Sequence, residues 1–249
     1  MPSFWISTSD IVGPFATGEE ELKTFLGSRY AAKSSSHLVE EWAARSRDTS
    51  QDIEEFYRET DAYLYDLTKW HATNRFPYAE AVRHFAARHG LKRVLEFGCG
   101  IGSDGLKLLD WGFDVTFYDF RNPSTEYLEW RLKKRGIAKD IIRYAGEDEL
   151  PPNDLTMAID VLEHVVDAPA TVNALAAHTK ALVVHLPLTT QKSKYPMHFH
   201  LNKRQLRRMI SEAGFSRQWD LSSLRYKKGL LLWLTEAPEF WLKTPSRPD

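Results

Sequence analysis

The sequence predicts an α/β fold in which short buried strands alternate with helices. Residues 94–97 form a short, mainly apolar run that stops at a glycine-rich turn, as a buried parallel strand does. The next segment, 101–111, carries leucines at helical spacing and precedes Gly112, which is typical of a helix end. A second apolar run follows at 114–120 and predicts the next strand.

The turn after the first strand predicts a nucleotide-cofactor site. Gly98, Gly100 and Gly102 stand in it, and glycine both tolerates a positive φ and leaves no Cβ between the backbone and a ligand. The helix that follows points free N–H groups towards the same place. Asp119 ends the second strand, where a carboxylate can accept hydrogen bonds from both ribose hydroxyls.

The spacing of the glycines narrows the choice of cofactor. Glu96 precedes the first glycine by two positions, and the turn lacks the two-residue gap before the last glycine of the nicotinamide fingerprint. The arrangement Glu-x-Gly-x-Gly-x-Gly with Asp119 resembles the class I S-adenosylmethionine-dependent methyltransferases. The resemblance implies a Rossmann-like, seven-stranded sheet flanked by helices. It also implies S-adenosylmethionine as the cofactor and S-adenosylhomocysteine as its product.

The resemblance assigns the cofactor contacts as well. The glycine loop would pass against the amino-acid half of the cofactor and Asp119 would bind the ribose. Glu147 and Asp148 compete for the adenine side, while Asp160 is placed beside the methionine part unless it only caps the next helical segment. Glu96 has an alternative as an ordinary strand-end carboxylate. The predicted set is Glu96, Gly98, Cys99, Gly100, Gly102, Asp119, Phe120, Glu147, Asp148, Asp160 and Val161.

The resemblance covers residues 90–235 in the order that the family requires. Segments 143–151, 155–164 and 181–188 match the third, fourth and fifth strands, and 229–235 matches the last strand.

The chain before residue 79 predicts helices. We expect an N-terminal helical cap over 1–78 and the cofactor-binding domain over 79–249. Apolar residues at helical spacing indicate one amphipathic helix over about 52–72. A second helix opens at Pro77 and closes at Gly90.

Three histidines are the candidate bases, because imidazole titrates near neutral pH and suits proton removal from a hydroxyl or an amine. His198 and His200 precede a helix whose start is well specified, with Asn202 as its N-cap and Gln205 at the capping-box position. His164 follows them as a candidate. For each, a purely structural role is the alternative.

The acceptor pocket is expected from the N-terminal helices and the end of the fourth strand. Tyr57, His71 and Glu163 are the predicted substrate contacts. Helical spacing instead favours core packing for Phe56, Tyr63, Leu67 and Trp70. No metal is assigned. The alternative is a divalent-metal site that uses Asp160, Glu163, His164 and His200.

Bulk properties favour an intracellular enzyme. The 249 residues carry a formal net charge of −1, which gives no reason to expect nucleic acid as a partner. Cys99 is the single cysteine, so no intrachain disulfide can form. No signal peptide or run of about 20 apolar residues is evident. We expect a cytoplasmic monomer or homodimer without membrane contact.

The sequence therefore predicts a methyltransferase that acts on an oxygen or nitrogen of a small biosynthetic or natural-product molecule. Methylation of a protein or peptide is one alternative, through a groove beside His198 and 189–195. Methylation of RNA is another, through Lys203, Arg204, Arg207 and Arg208. A noncatalytic binding module and a nicotinamide oxidoreductase are the remaining alternatives.

Overall fold

The computed structural model describes seven segments of the chain, and all structural statements below refer to them. They are residues 18–31, 37–45, 50–72, 77–186, 198–199, 201–218 and 237–244. The helices are α1 Gly18–Leu26, α2 His37–Ala44, α3 Ser50–Glu59, α4 Ala62–His71, α5 Tyr78–His89, α6 Ser103–Asp110, α7 Pro123–Lys134, α8 Ala168–His178 and α9 Lys203–Glu212. The strands are β1 Arg93–Phe97, β2 Asp114–Asp119, β3 Ile142–Tyr144, β4 Leu155–Ile159, β5 Ala181–His185, β6 Phe215–Gln218 and β7 Glu239–Lys243.

The strands form one seven-stranded sheet in the order β3-β2-β1-β4-β5-β7-β6. The first five strands pair in parallel, whereas β7 is antiparallel to both β5 and β6. Because β1 lies between β2 and β4, the order in which strands are added to the sheet reverses there, and a crevice opens at the carboxyl ends of these three strands. Open α/β sheets bind ligands at such a point.

Side chains alternate between the two faces of the sheet and place two separate cores there. On one face, Val94 and Val183 pack with residues of α5, α6 and α7. On the other face, Leu95 and Leu182 pack with residues of α8 and α9. The result is the three-layer α/β arrangement that the sequence predicted.

The N-terminal helices pack against the glycine turn and α7. Leu22 of α1 and Leu64 of α4 share one buried cluster with Ile101 and Tyr127. Helices α2 and α3 form a further cluster around Phe56. The division at residue 78 stays a prediction.

The single helix expected over 52–72 is wrong, because the structure has two helices there, α3 and α4. Thr60 separates them. Its hydroxyl accepts a hydrogen bond from the backbone N–H of Ala62 at 3.1 Å and donates one to Glu41 at 3.1 Å. A threonine that satisfies a backbone donor in this way starts a new helix rather than continuing the old one.

Two helix boundaries predicted from the sequence are confirmed. Gly90 follows α5 with φ 65°, and Asn202 and Gln205 form the reciprocal capping box that starts α9. The strand expected at 229–235 lies outside the described residues. The strand that runs antiparallel to both β5 and β6 is β7, which the sequence analysis did not predict. No helix within the described segments is long and apolar enough to cross a bilayer.

A buried ion pair joins α1 to the glycine turn. The guanidinium of Arg131 on α7 contacts the carboxylate of Glu21 on α1 at 3.1 Å, and both residues are at most 2% exposed. The same guanidinium donates to the carbonyl of Ile101 at 2.7 Å and to the hydroxyl of Ser103 at 3.2 Å. One side chain therefore fixes both the cap and the turn before α6.

We predict that Arg131→Leu lowers the free energy of unfolding by about 3–5 kcal/mol, because it leaves the Glu21 carboxylate buried without its partner. Adding Glu21→Leu should recover part of that loss, since the orphaned charge is then gone. Urea unfolding monitored by circular dichroism measures both. Arg208→Leu, which removes an exposed pair with Glu212, is the control and should not shift the midpoint. A double variant less stable than Arg131→Leu would contradict the explanation.

Candidate active site

The glycine turn contributes its main chain to the site. Gly98, Gly100 and Gly102 have φ values of 65°, 50° and 68°, a region that favours glycine. Limited space is a second reason for glycine at position 98, because a Cβ there would lie 2.1 Å from Cγ2 of Val161. The backbone N–H groups of Gly98 and Cys99 both donate to the carbonyl of Tyr118, which ties the turn to β2.

Glu96 holds the start of α6. Its Oε2 accepts a hydrogen bond from the backbone N–H of Gly105 at 2.9 Å, and Glu96 is 6% exposed. A Cβ on Gly105 would lie 2.3 Å from this oxygen and 2.4 Å from Phe117. Gly105 was not singled out from the sequence, although its place within the first turn of the helix after a glycine loop was a usable signal.

Asp119 receives two backbone hydrogen bonds. The N–H groups of Gly100 and Phe120 donate to its two carboxylate oxygens, each at 2.7 Å. Burial raises the pKa of Asp119 to about 6, although both hydrogen bonds and the charge of Arg58 oppose the shift. Arg58 itself lies over the ring of Phe120, 3.8 Å from its centroid, so α3 of the cap covers the end of β2.

One cavity of about 380 Å³ lies where the glycine turn and the ends of β1, β2 and β4 meet. It brings together most of the cofactor residues predicted from the sequence. The predicted residues on its wall are Glu96, Gly98, Cys99, Gly100, Asp119, Phe120, Asp160 and Val161.

Three predicted cofactor residues lie away from the cavity wall. A Cβ on Gly102 would face Leu128 and Phe117, which is the core side. Glu147 is paired with Arg121 at 2.9 Å and is about half exposed. Asp148 accepts a hydrogen bond from the backbone N–H of Tyr144 at 2.7 Å.

Tyr118, Ala145 and Leu150 also line the cavity, although the sequence analysis did not single them out. Tyr118 directly precedes Asp119, and its ring stacks against Phe97 at 5.7 Å. A flat, mainly apolar surface of this kind suits a purine base. The available signal was adjacency to Asp119 alone, because apolar residues at strand ends also occur in ordinary cores.

Side chains of the cap helices also line the cavity. Tyr57 and His71, both predicted as substrate contacts, are among them. Tyr63, Leu67 and Trp70 pack in or against the buried cluster around Leu64, as helical spacing favoured, and they line the cavity as well. The break at Thr60 separates these three residues from Phe56, because α3 and α4 do not share one helical face. Phe56 is fully buried in the core of the cap.

His164 is the candidate base that reaches the cavity. Its ring lies edge-on to those of Tyr57, at 4.7 Å, and His198, at 4.4 Å. Burial lowers the pKa of His164 well below its usual value and lowers the pKa of His198 to about 4. Both imidazoles are therefore neutral at pH 7. His198 does not line the cavity, and His200 lies outside the described residues.

Glu163 lies behind the wall. It is 1% exposed, and its carboxyl oxygens have no hydrogen-bond partner within the described segments. Burial and the charge of Asp160 raise the pKa of Glu163 well above its usual value, so the site favours the neutral form of this acid. Among the residues described, no group of three or more His, Cys, Asp or Glu is arranged to hold a metal ion.

Comparison with known proteins agrees with this geometry. A family model described as a methyltransferase domain matches residues 70–224. A search of curated proteins found no match. Among solved structures, an S-adenosylmethionine-dependent methyltransferase from Clostridium acetobutylicum ATCC 824 aligns with a TM-score of 0.55 and 10% identity, over 73% of this chain and 96% of the other.

Two further structures share the fold. The magnesium protoporphyrin IX methyltransferase from Synechocystis PCC 6803, with bound S-adenosylhomocysteine, aligns with a TM-score of 0.54 and 14% identity, over 79% of this chain and 100% of the other. An O-methyltransferase family protein from Burkholderia thailandensis aligns with a TM-score of 0.51 and 11% identity, over 76% and 60%.

The family model covers more than half of the 249 residues, and the seven-stranded sheet with its flanking helices matches the Rossmann-like class I methyltransferase fold. The fold, the enzyme class and the cofactor predicted from the glycine turn are confirmed. The chain belongs to the methyltransferase-domain family and is a class I S-adenosylmethionine-dependent methyltransferase.

Proposed function

We propose that this enzyme transfers the methyl group of S-adenosylmethionine to an oxygen or nitrogen of a small molecule. One observation carries the proposal. One cavity is lined by the glycine turn and Asp119, called the first wall here, and by Tyr57, Tyr63 and His164, called the acceptor wall. A methyl donor bound at the first wall would share this cavity with an acceptor held against the acceptor wall.

The first wall offers a contact for each part of the cofactor. Asp119 would accept hydrogen bonds from the ribose hydroxyls, and Tyr118 and Leu150 would contact the adenine. Gly98 and Asp160 would lie beside the amino-acid half. Glu96 supports this wall indirectly, since its carboxylate is engaged by the N–H of Gly105.

The transfer is an in-line displacement, in which the acceptor lone pair attacks the methyl carbon and the carbon–sulfur electron pair returns to sulfur. The protein must align the two molecules, exclude water and accept the acceptor proton. His164 is the proposed base, because it is neutral and lines the cavity. His198 would orient His164 through their ring contact.

The cap favours a small acceptor. Side chains of α3 and α4, including Tyr57 and Trp70, form the acceptor wall, so an acceptor must fit beneath two helices. Two of the basic residues considered for RNA are engaged in ion pairs, Arg207 with Glu239 and Arg208 with Glu212. The peptide groove expected beside 189–195 lies outside the described residues. A cytoplasmic location and a monomeric or dimeric state stay predictions.

The Asp119 assignment predicts a pH-dependent cofactor affinity. The pKa of about 6 means that the carboxylate is mostly protonated at pH 5 in the cofactor-free enzyme. Because ribose hydroxyls bind better to the ionised form, affinity for S-adenosylhomocysteine should rise about tenfold between pH 5 and pH 7.5 and then level off. Isothermal titration calorimetry at a series of pH values measures this.

Asp119→Asn is the matched control, since it keeps the shape and cannot ionise. Its affinity should be lower at pH 7.5 and almost independent of pH. The ribose assignment fails if Asp119→Asn binds S-adenosylhomocysteine as the wild type does at pH 7.5.

The role of His164 predicts a loss of turnover with little loss of cofactor binding. With an acceptor found by screening phenols and amines against labelled S-adenosylmethionine, His164→Asn should lower kcat by about 100-fold or more. Its affinity for S-adenosylhomocysteine should stay within about twofold of the wild type, because the cofactor wall is unchanged.

His178→Asn replaces an exposed histidine at the end of α8 and should leave kcat unchanged. Wild-type turnover in His164→Asn would exclude His164 as the base. The absence of any small-molecule acceptor, together with methylation of a peptide or RNA, would overturn the proposed substrate class.

A further inference from the structure

A buried histidine lies behind the cavity wall and holds one of the wall's carboxylates. His185 is the last residue of β5 and is 2% exposed. Its Nδ1 is hydrogen-bonded to Oδ1 of Asp160, the residue that follows β4. The hydroxyl of Tyr78 lies 3.1 Å from the same nitrogen. His185 does not itself line the cavity, whereas Asp160 does.

The chemistry of this contact fixes the position of a proton. An ionised carboxylate only accepts hydrogen bonds, so Nδ1 of His185 must carry the hydrogen. The bond occupies Oδ1 of Asp160 and leaves Oδ2 free. Oδ2 is buried and has no hydrogen-bond partner among the described residues. Buried polar atoms are nearly always paired, so a free carboxylate oxygen on a cavity wall indicates a ligand group that donates to it.

The backbone of Asp160 is held in an uncommon conformation. Its φ is 53°, the single positive φ at a non-glycine residue in the described segments. Side chains other than glycine occupy this region when their surroundings determine it, often at functional sites. Here the N–H of Asp160 donates to the carbonyl of His185 at 3.2 Å. His185 thus restrains both the backbone and the side chain of Asp160.

The position of Asp160 identifies the ligand group. Its neighbour Val161 packs against Gly98 so closely that a Cβ on the glycine would overlap it. The free oxygen therefore belongs to the wall beside the glycine turn, where the proposed function places the amino-acid half of the cofactor. That half carries an α-ammonium group, a strong donor to a carboxylate.

We propose that His185 is a positioning residue for cofactor binding. By holding Oδ1 of Asp160, it turns Oδ2 towards the α-ammonium group of S-adenosylmethionine. This inference rests on the proposed function for the placement of the cofactor. A purely structural role would be to join the ends of β4 and β5, and that role would affect every ligand of the site alike.

Two ligands separate these roles. S-adenosylhomocysteine carries the amino-acid half, whereas 5′-methylthioadenosine keeps the adenosine and lacks that half. In His185→Leu, affinity for S-adenosylhomocysteine should fall about tenfold or more. Affinity for 5′-methylthioadenosine should stay within about twofold of the wild type. Isothermal titration calorimetry of the full chain measures both, and thermal unfolding shows that each variant is folded.

Conservative variants make the test specific. His185→Asn keeps an N–H near the place of Nδ1 and should restore most of the affinity for S-adenosylhomocysteine. Asp160→Asn removes the accepting charge, and combining it with His185→Leu should add little further loss, since both act through one carboxylate. If His185→Leu does not fold, His185→Gln, whose amide reaches the place of Nε2 and not that of Nδ1, supplies the same comparison of ligands.

The outcomes are distinct. Equal weakening of both ligands in His185→Leu, or no weakening of either, would overturn the positioning role while leaving the proposed function in place. Failure of the wild-type enzyme to bind S-adenosylhomocysteine would instead overturn the proposed cofactor placement itself.

Discussion

The buried guanidinium of Arg131 is the constraint on which the site depends. It is bonded to Glu21 in the first described helix and to the carbonyl of Ile101 in the glycine turn. A buried ion pair adds little net stability on its own, because both charges lose their hydration. Its role here is to orient neighbouring groups, since the five N–H donors of the arginine side chain can bond to several acceptors at once. The cap and the glycine turn are therefore held in a fixed position relative to each other.

A second constraint is the close contact between the ends of β1 and β4. Val161 packs directly on the backbone of Gly98, which leaves no room for a side chain. This contact places Asp160 beside the glycine turn, and His185 then holds Asp160 from the neighbouring strand. The ends of β1 and β4 thus form one wall, and the end of β5 supports it from behind. A rigid wall of this kind lowers the entropy that the protein loses when it binds a ligand.

Burial has the same effect on three titratable groups in and behind the acceptor wall, because removal of water disfavours the charged form. It raises the pKa of Glu163 and of Tyr57 and lowers the pKa of His164. Burial thus favours the neutral form of each group. A neutral imidazole can accept the proton that the acceptor loses. The chemistry then depends on alignment and on the exclusion of water.

The sequence by itself determined the fold class, the glycine turn, Asp119 and the caps of two helices, because these depend on local features. Glycine at positive φ, a strand-end carboxylate and the Asn202–Gln205 capping box are each readable within a few residues. Only the tertiary structure decided which side chains share the cavity. The contacts of His185 with Asp160 and of Arg131 with Glu21 join residues 25 and 110 positions apart. Thr60, where the predicted helix breaks, likewise contacts Glu41, a partner 19 positions away. Long-range hydrogen bonds and burial leave no periodic signal in the sequence. They place Tyr63 and Trp70 at the cavity as well as against the core of the cap, and they leave Glu147 in an exposed ion pair.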